Sequence, residues 1–405
     1  MDTIEFLTSK QKQWLAAMAL AENSGEREHS KVKGAIFISA DEMQKKLGDG
    51  YKSKISKIFD VVSDSYHHSD KKSKSYTMAY RIKKQVKAEL ADLVLEQSTP
   101  PKNGIENENY FVEQVNIAAL DFLVEKGPLA FENIEHFISA KMYTMVYNRE
   151  DGCNYVQYCR KTEKNTGRRF AQSPSLQSLP KVIRTVICKS THAEIDMVNA
   201  HPTIFKALAA SANISAPLTG RLVDNRDEVY SEISEFYLCS TLASKKYMLQ
   251  TSYLCQLAYD AGSEKAFTEW CDKESDKLSP AWQELGFEPV AIPFAKNYQK
   301  EILAIIEKMS DHYFFAGCQS IKYKSRKASI MIQTVEDNLL QKMIDVLIDE
   351  NVKIDALSFD GLCIRNPSTL TQSIIGKMEA AMNTWFKKIF KVDLNMRLSI
   401  KEYGE

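Results

Sequence analysis

Hydrophobic positions along this chain change period several times, and each change marks an element. In residues 10–22, Trp14, Leu15, Met18 and Leu20 recur at helical spacing and predict an amphipathic helix. Residues 34–40 (GAIFISA) are a short apolar run that predicts a strand. Asp41 stands where it can cap a helix running to Leu47, with Gly48 and Gly50 to end it. A second helix is predicted over residues 52–62, with Ile55, Ile58, Phe59 and Val62 on one face. A polar tip (HHSDKKSKS) follows, then period-two alternation at 76–82 (YTMAYRI). Strand, helix, turn, helix and basic hairpin is the order of a winged helix-turn-helix module. Residues 1–96 are therefore read as a small winged-helix-like domain that binds nucleic acid or a partner.

Residues 97–109 (QSTPPKNGIENEN) are polar and hold Pro100, Pro101 and Gly104, the composition of a linker. Two or three amphipathic helices are expected between 110 and 147. Beyond them helices alternate with a few strand-like runs, so the fold class reads as α/β (α+β) in one large unit. Two of those runs carry a carboxylate at a turn. In AEIDMVNAHPTIF a short strand closes on Asp196 and leads directly into a helix. In VKIDALSFDGLCIR the pattern is a hairpin, with its tight turn at Asp360-Gly361. Carboxylates at the ends of adjacent strands can hold two Mg²⁺ ions, one activating a hydroxyl and one stabilising a leaving pyrophosphate. A single aspartate in such a place is ordinarily a turn or cap residue. Only the surroundings give the pair more meaning.

Composition narrows the picture. With 44% hydrophobic and 26% charged residues, the chain is neither disordered throughout nor a low-complexity fibre. Its 53 basic and 53 acidic side chains cancel, which excludes binding nucleic acid as a simple polycation. The charge is segregated, however. Residues 31–89 carry a net +7 and residues 160–189 another +7, which leaves −14 for the remainder. The first stretch would set a helix in a major groove and a wing on phosphates; the second would track a strand beside the catalytic acid. Eight cysteines without a CxxC pair, no apolar run of membrane-spanning length and no signal-peptide core point to a soluble, cytoplasmic protein. No GxxxxGK[ST] occurs, so helicase activity is not expected of this chain.

Five segments in order resemble the family A DNA polymerases and their relatives, the single-subunit phage-type RNA polymerases. TGRRFAQSPSLQSLP (166–180) is similar to the segment that contacts the primer–template minor groove, with Arg168 on the family arginine. AEIDMVNAHP (193–202) resembles motif A, with Asp196 as the metal-binding acid. SKKYMLQTSYL (244–254) is similar to the motif B helix, matching at Lys245, Leu249 and Tyr253. ASIMIQTVEDNLLQKMI (328–344) looks like the NxPIQGTAADxxKxAM helix, with Gln333 on the glutamine, and SFDGLCI (358–364) occupies motif C, with Asp360 as the second metal ligand.

The resemblance implies a right-hand polymerase with palm and helical fingers over residues 160–405, the fingers near 205–320. A short helical thumb-like region over 110–159 would give low processivity without a partner protein. It implies a DNA polymerase extending a primer on a nucleic-acid template with dNTPs and two Mg²⁺ ions, and no membrane. Catalysis would rest on Asp196, Asp360 and Lys245, the lysine binding triphosphate and protonating the leaving group. Lys245, Tyr253, His201 and Gln333 would bind the nucleotide; Arg168, Arg169, Gln177 and Arg184 would bind nucleic acid. His201 stands five residues after Asp196, where the DNA polymerases have the glutamate that excludes a ribose 2′-hydroxyl. Departures include Thr241 in place of the fingers arginine, Leu254 in place of glycine, and Phe359-Asp360-Gly361 in motif C. Such a divergent member fits a virus or mobile element. An RNA polymerase or primase-polymerase of the same fold is the alternative, using rNTPs. A non-catalytic replication initiator or regulator is a further one, disfavoured by retention of Asp196, Lys245, Tyr253 and Asp360 together.

Overall fold

The computed structural model describes residues 36–48, 50–68, 76–83, 110–127, 134–160, 166–237, 240–254 and 292–403, with isolated positions at 7, 8, 11, 15, 86, 130 and 131. The helix expected over 10–22, the linker at 97–109 and the part of the fingers between 255 and 291 lie mostly or wholly outside the described residues. The chain divides into two compact units, one of residues 1–158, 171–192 and 402–405, the other of 159–170 and 193–401.

In the first unit, β1 (Ile36–Ser39) leads into α1 (Ala40–Leu47) and α2 (Tyr51–Ile58), then β2 (Phe59–His68) and β3 (Tyr76–Ile82). The three strands form one sheet in the order β1-β3-β2, with β3 antiparallel to both neighbours. Gly50, left-handed at φ 72°, makes the tight step between the helices. The expected helix over 52–62 stops at Ile58. From Phe59 on, the chain pairs with β3 instead, because a distant strand supplies a ladder there.

The rest of this unit opens with a strand where a helix was expected: β4 (Tyr110–Glu113) pairs antiparallel with β5 (Asn154–Arg160). Helices α3 (Ile117–Glu125), α4 (Ile134–Val146) and α5 (Lys181–Cys188) complete it, α3 packing on both others. Asn116 caps α3, its side chain accepting from the Ala119 amide at 3.1 Å. The fully buried Glu113 is satisfied from three sides, by the Tyr143 hydroxyl (2.8 Å), Asn154 Nδ2 (3.2 Å) and the Leu176 amide (2.9 Å). Burial and this carboxylate push the Tyr143 phenol well up.

The second unit is helical around a small sheet. After β6 (Arg169–Ala171), β7 (His192–Met197) precedes α6 (Ala200–Ser211), α7 (Pro217–Asp224), α8 (Arg226–Tyr237) and α9 (Thr241–Ser252). Then come α10 (Pro293–Met309), the long α11 (Lys324–Asp349), the hairpin β8 (Ile354–Ser358) and β9 (Gly361–Arg365), α12 (Gln372–Phe390) and β10 (Leu398–Glu402). The sheet order is β10-β7-β9-β8. Helix α11 is the spine, packing against α6, α10 and α12. It buries Met331, Ile332, Val335, Leu339, Leu340, Met343 and Leu347, each side chain worth about 1.5–3 kcal/mol by transfer from water. The rings of Phe386 and Phe390 of α12 meet at a tilt, with centroids 4.5 Å apart, in the same core. The fold is mixed α and β, with small antiparallel sheets. No described helix is long and apolar enough to cross a membrane.

Candidate active site

The sheet order alone puts β7 between β10 and β9. Asp196 is the penultimate residue of β7, so its neighbours come from both sides. From β10, Lys401 donates its Nζ to Asp196 Oδ2 at 2.7 Å. That hydrogen bond, with the charges of Asp196, Glu194 and Asp360, raises the Lys401 ammonium above its ordinary value against the opposing effect of burial. From the other side comes the hairpin turn that carries Asp360.

The turn is built one residue earlier than the Asp-Gly pattern predicts. Ser358 pairs with Gly361, which leaves Phe359 and Asp360 at the tip, and Phe359 takes the left-handed conformation at φ 55°. Gly361 is therefore a strand residue, and space explains it. A Cβ there would sit 2.4 Å from Asp196 Oδ1 and 2.5 Å from the Ile195 carbonyl oxygen. The missing side chain lets the turn lie against β7, where the Met197 amide donates to the Asp360 carbonyl at 3.1 Å. Two carboxylates thus share one place. The half-buried Asp360 is pushed up to about 6, first by desolvation and then by the negative charges of Glu336 and Asp196.

Glu336 was not singled out in the sequence. It lies on α11 at zero exposure, in a polar stripe of Gln333, Glu336, Asp337 and Gln341 that follows helical spacing. His201 Nε2 is 2.6 Å from Glu336 Oε2, and Arg168 Nη2 is 2.8 Å from Oε1. Burial would raise this carboxyl, but the hydrogen bond and charge of His201 and the charge of Arg168 outweigh it and hold it below its ordinary value. His201 enters from the first turn of α6, just after Asn199, which is left-handed at φ 51° and breaks the chain direction between β7 and the helix. Pro202 is tolerated there because a first-turn amide has no helical partner. The His201 ring meets Tyr253 edge-on, with centroids 5.3 Å apart and the hydroxyl 3.5 Å from Nε2. Burial raises the Tyr253 phenol; Arg168 opposes that, and a hydrogen bond with Gln333 does too. The Arg168 guanidinium lies 5.1 Å from the Phe359 ring centre.

Asp196, Asp360, His201, Tyr253, Gln333 and Arg168 are thus brought into one network. Lys245 lies on α9, which ends just before Tyr253, and is exposed, without a hydrogen bond or ion pair among the described residues. Arg169 has a different position from the one its place in a basic run implies. It is almost fully buried and fixes β6 to α11 through Asp337 (3.0 Å) and Gln341 (2.8 Å), and Arg160 also pairs with Asp337. Gln177 and Arg184 belong to the other unit. Gln177 Oε1 accepts from the Ala171 amide at 3.0 Å, and Arg184 donates to the carbonyls of Leu176 (3.3 Å) and Leu179 (3.1 Å).

The donor set of Asp196 and Asp360 is carboxylate oxygen, which suits a hard cation such as Mg²⁺. Two acids close enough for one to raise the other also fit a cation between them, and the Lys401 hydrogen bond goes to Asp196. The residues present fit the group.

No protein-family model matches the chain. A Sputnik virophage protein described as "Putative helicase V13" is 28% identical over 224 residues, which is 54% of this chain and 26% of that protein. The chain therefore spans about a quarter of that relative's length. Among solved structures, the POL domain of Pol1 from M. smegmatis, in complex with DNA primer-template and dNTP, aligns at a TM-score of 0.41 and 13% identity. That alignment covers 78% of this chain and 63% of the other.

Proposed function

We propose that this chain is a template-directed nucleotidyltransferase, a DNA polymerase that extends a primer with dNTPs and releases pyrophosphate. The observation that carries the reading is the close approach of Asp196 and Asp360, made possible by Gly361, beside a cluster of polar side chains from two helices, the end of a third and a loop. When bound, Mg²⁺ ions would activate the attacking 3′-hydroxyl and neutralise charge on the phosphates. Asp196 and Asp360 would hold them. Lys245, exposed on α9 and uncommitted among the described residues, would meet the triphosphate and deliver a proton to the leaving group. Tyr253 and His201 would bound the sugar and base of the incoming nucleotide, and Arg168 would brace them through Glu336. In this reading the second unit holds the palm and the described part of the fingers.

The N-terminal module would hold nucleic acid or a partner. A winged-helix reading is supported by the β1-β3-β2 sheet with two short helices between β1 and β2, and exposed Lys52 and Lys57 lie on the second helix. Helicase is the description of the virophage relative, three quarters of which this chain does not span. A polymerase or primase-polymerase acting beside a helicase accommodates that description.

The test offers primed and unprimed DNA and RNA templates with dNTPs or rNTPs and Mg²⁺, using the full chain and its Asp196→Ala and Asp360→Ala variants. Incorporation abolished by either substitution is expected. No incorporation under any combination overturns the enzymatic reading, and incorporation indifferent to both substitutions overturns the site.

A further inference from the structure

Sugar selection by bulk needs a wall that does not yield. A pocket that merely presents apolar surface rejects an analogue carrying one extra hydroxyl by only about a hundredfold. A lone histidine at a helix start would be a poor wall, because its ring can turn about two side-chain torsions. Here the ring is tethered. Glu336 is ionised and has no proton to give, so the 2.6 Å contact requires that His201 Nε2 carry the hydrogen and donate it. That fixes the plane of the ring. Tyr253 closes the other side at a centroid distance of 5.3 Å. Glu336 is itself fully buried on the spine helix and paired with Arg168 at 2.8 Å. Arg168 in turn lies over Phe359, the residue before Asp360.

We propose that Glu336 is the positioning residue for sugar discrimination, locking His201 and Tyr253 into a rigid face that excludes the ribose 2′-hydroxyl, so that the substrate is a deoxynucleoside triphosphate. The proposal rests on the polymerase reading above. Glu336 touches neither substrate nor metal in this scheme and acts through His201. A buried carboxylate whose only role is to hold the fold would slow dNTP and rNTP incorporation alike. One that holds a sugar wall changes their ratio.

The experiment compares kcat/KM for a dNTP and the matching rNTP on one primed DNA template, for the wild type, Glu336→Gln, Glu336→Ala, His201→Gly and the Glu336→Ala/His201→Gly double variant. Melting temperatures identify folded variants. Wild type should prefer the dNTP. Glu336→Ala should reduce the ratio at least about tenfold, mostly through a lower KM for the rNTP. Glu336→Gln, whose amide oxygen still accepts from Nε2, should keep most of the preference even if Glu336→Ala proves unfolded. In the His201→Gly background, Glu336→Ala should change the ratio no further, since the wall it holds is gone. A wild type that uses both sugars equally overturns the proposal, and so does a folded Glu336→Ala with an unchanged ratio. A Glu336→Gln ratio as relaxed as that of His201→Gly, or additive effects in the double variant, overturns it as well. If the wild type incorporates no nucleotide at all, the polymerase reading fails first.

Discussion

The alpha carbon of Gly361 stands so close to Asp196 that a methyl group on it would lie 2.4 Å from the carboxylate oxygen. The second close atom, the Ile195 carbonyl oxygen at 2.5 Å, belongs to the strand backbone and cannot swing aside. Gly361→Ala must therefore push the Asp360 turn off β7. The expected outcome is a stability loss of about 1–3 kcal/mol in urea denaturation. Primer extension should fall far more steeply than that loss explains, because the two acids separate. A Gly361→Ala protein with wild-type activity would show that their spacing is unimportant.

Asp360 gives a pH signature with a definite sign. It ionises near 6 in the folded chain against an ordinary 3.8, so the folded state holds this proton more tightly than the unfolded one. Stability should fall as pH rises from about 4 to about 6, and the penalty should persist above that. Asp360→Asn removes the charge. It should raise stability at pH 7.5 by about 1–2 kcal/mol after allowance for solvent screening, and leave it unchanged below pH 4. Thermal melts across pH 3.5–8 check this. Mg²⁺ should stabilise the wild type at pH 7.5 more than Asp360→Asn, since it binds the ionised pair.

Asp337 receives both Arg160 and Arg169 at about 1% exposure. Asp337→Ala takes this anion from the buried Arg169 and the partly buried Arg160 and should cost about 3–5 kcal/mol. Replacing Arg169 and Asp337 together by Met and Leu should recover much of that loss. Chemical denaturation of the three proteins decides it, and a neutral Asp337→Ala would show that the ion pair contributes little.

Lys245 should behave in the opposite way. It is exposed, so Lys245→Ala should leave the melting temperature unchanged while lowering nucleotide incorporation about a hundredfold. Equal loss of stability and activity would move it out of the nucleotide site and into the fold.

Local pattern carried the elements far and the contacts only partly. The strand leading to Asp196 and the hairpin around Asp360 follow from hydrophobic period and turn chemistry, which act over a few residues, while the helices holding Lys245 and Gln333 are expected from the family resemblance alone. The same local reading misplaced residues 59–62 and 110–113, because a strand forms where a distant partner supplies the ladder. It also put the turn at Asp360-Gly361, whereas Ser358 pairs with Gly361 and Phe359 takes the strained position.

What the sequence by itself determined is the order of elements, the segregation of charge and the two strand-end acids. Tertiary structure decided the rest. Glu336 and Asp337 are adjacent acids in one long helix, and only packing reveals that one holds His201 and the other holds Arg169. Lys401 is one more lysine near the chain end until the order β10-β7-β9 lays it against Asp196. Charge counts could not tell an arginine facing a strand of nucleic acid from one buried against an aspartate. The reason is physical: burial and pairing depend on residues more than a hundred positions away, and no local period encodes them.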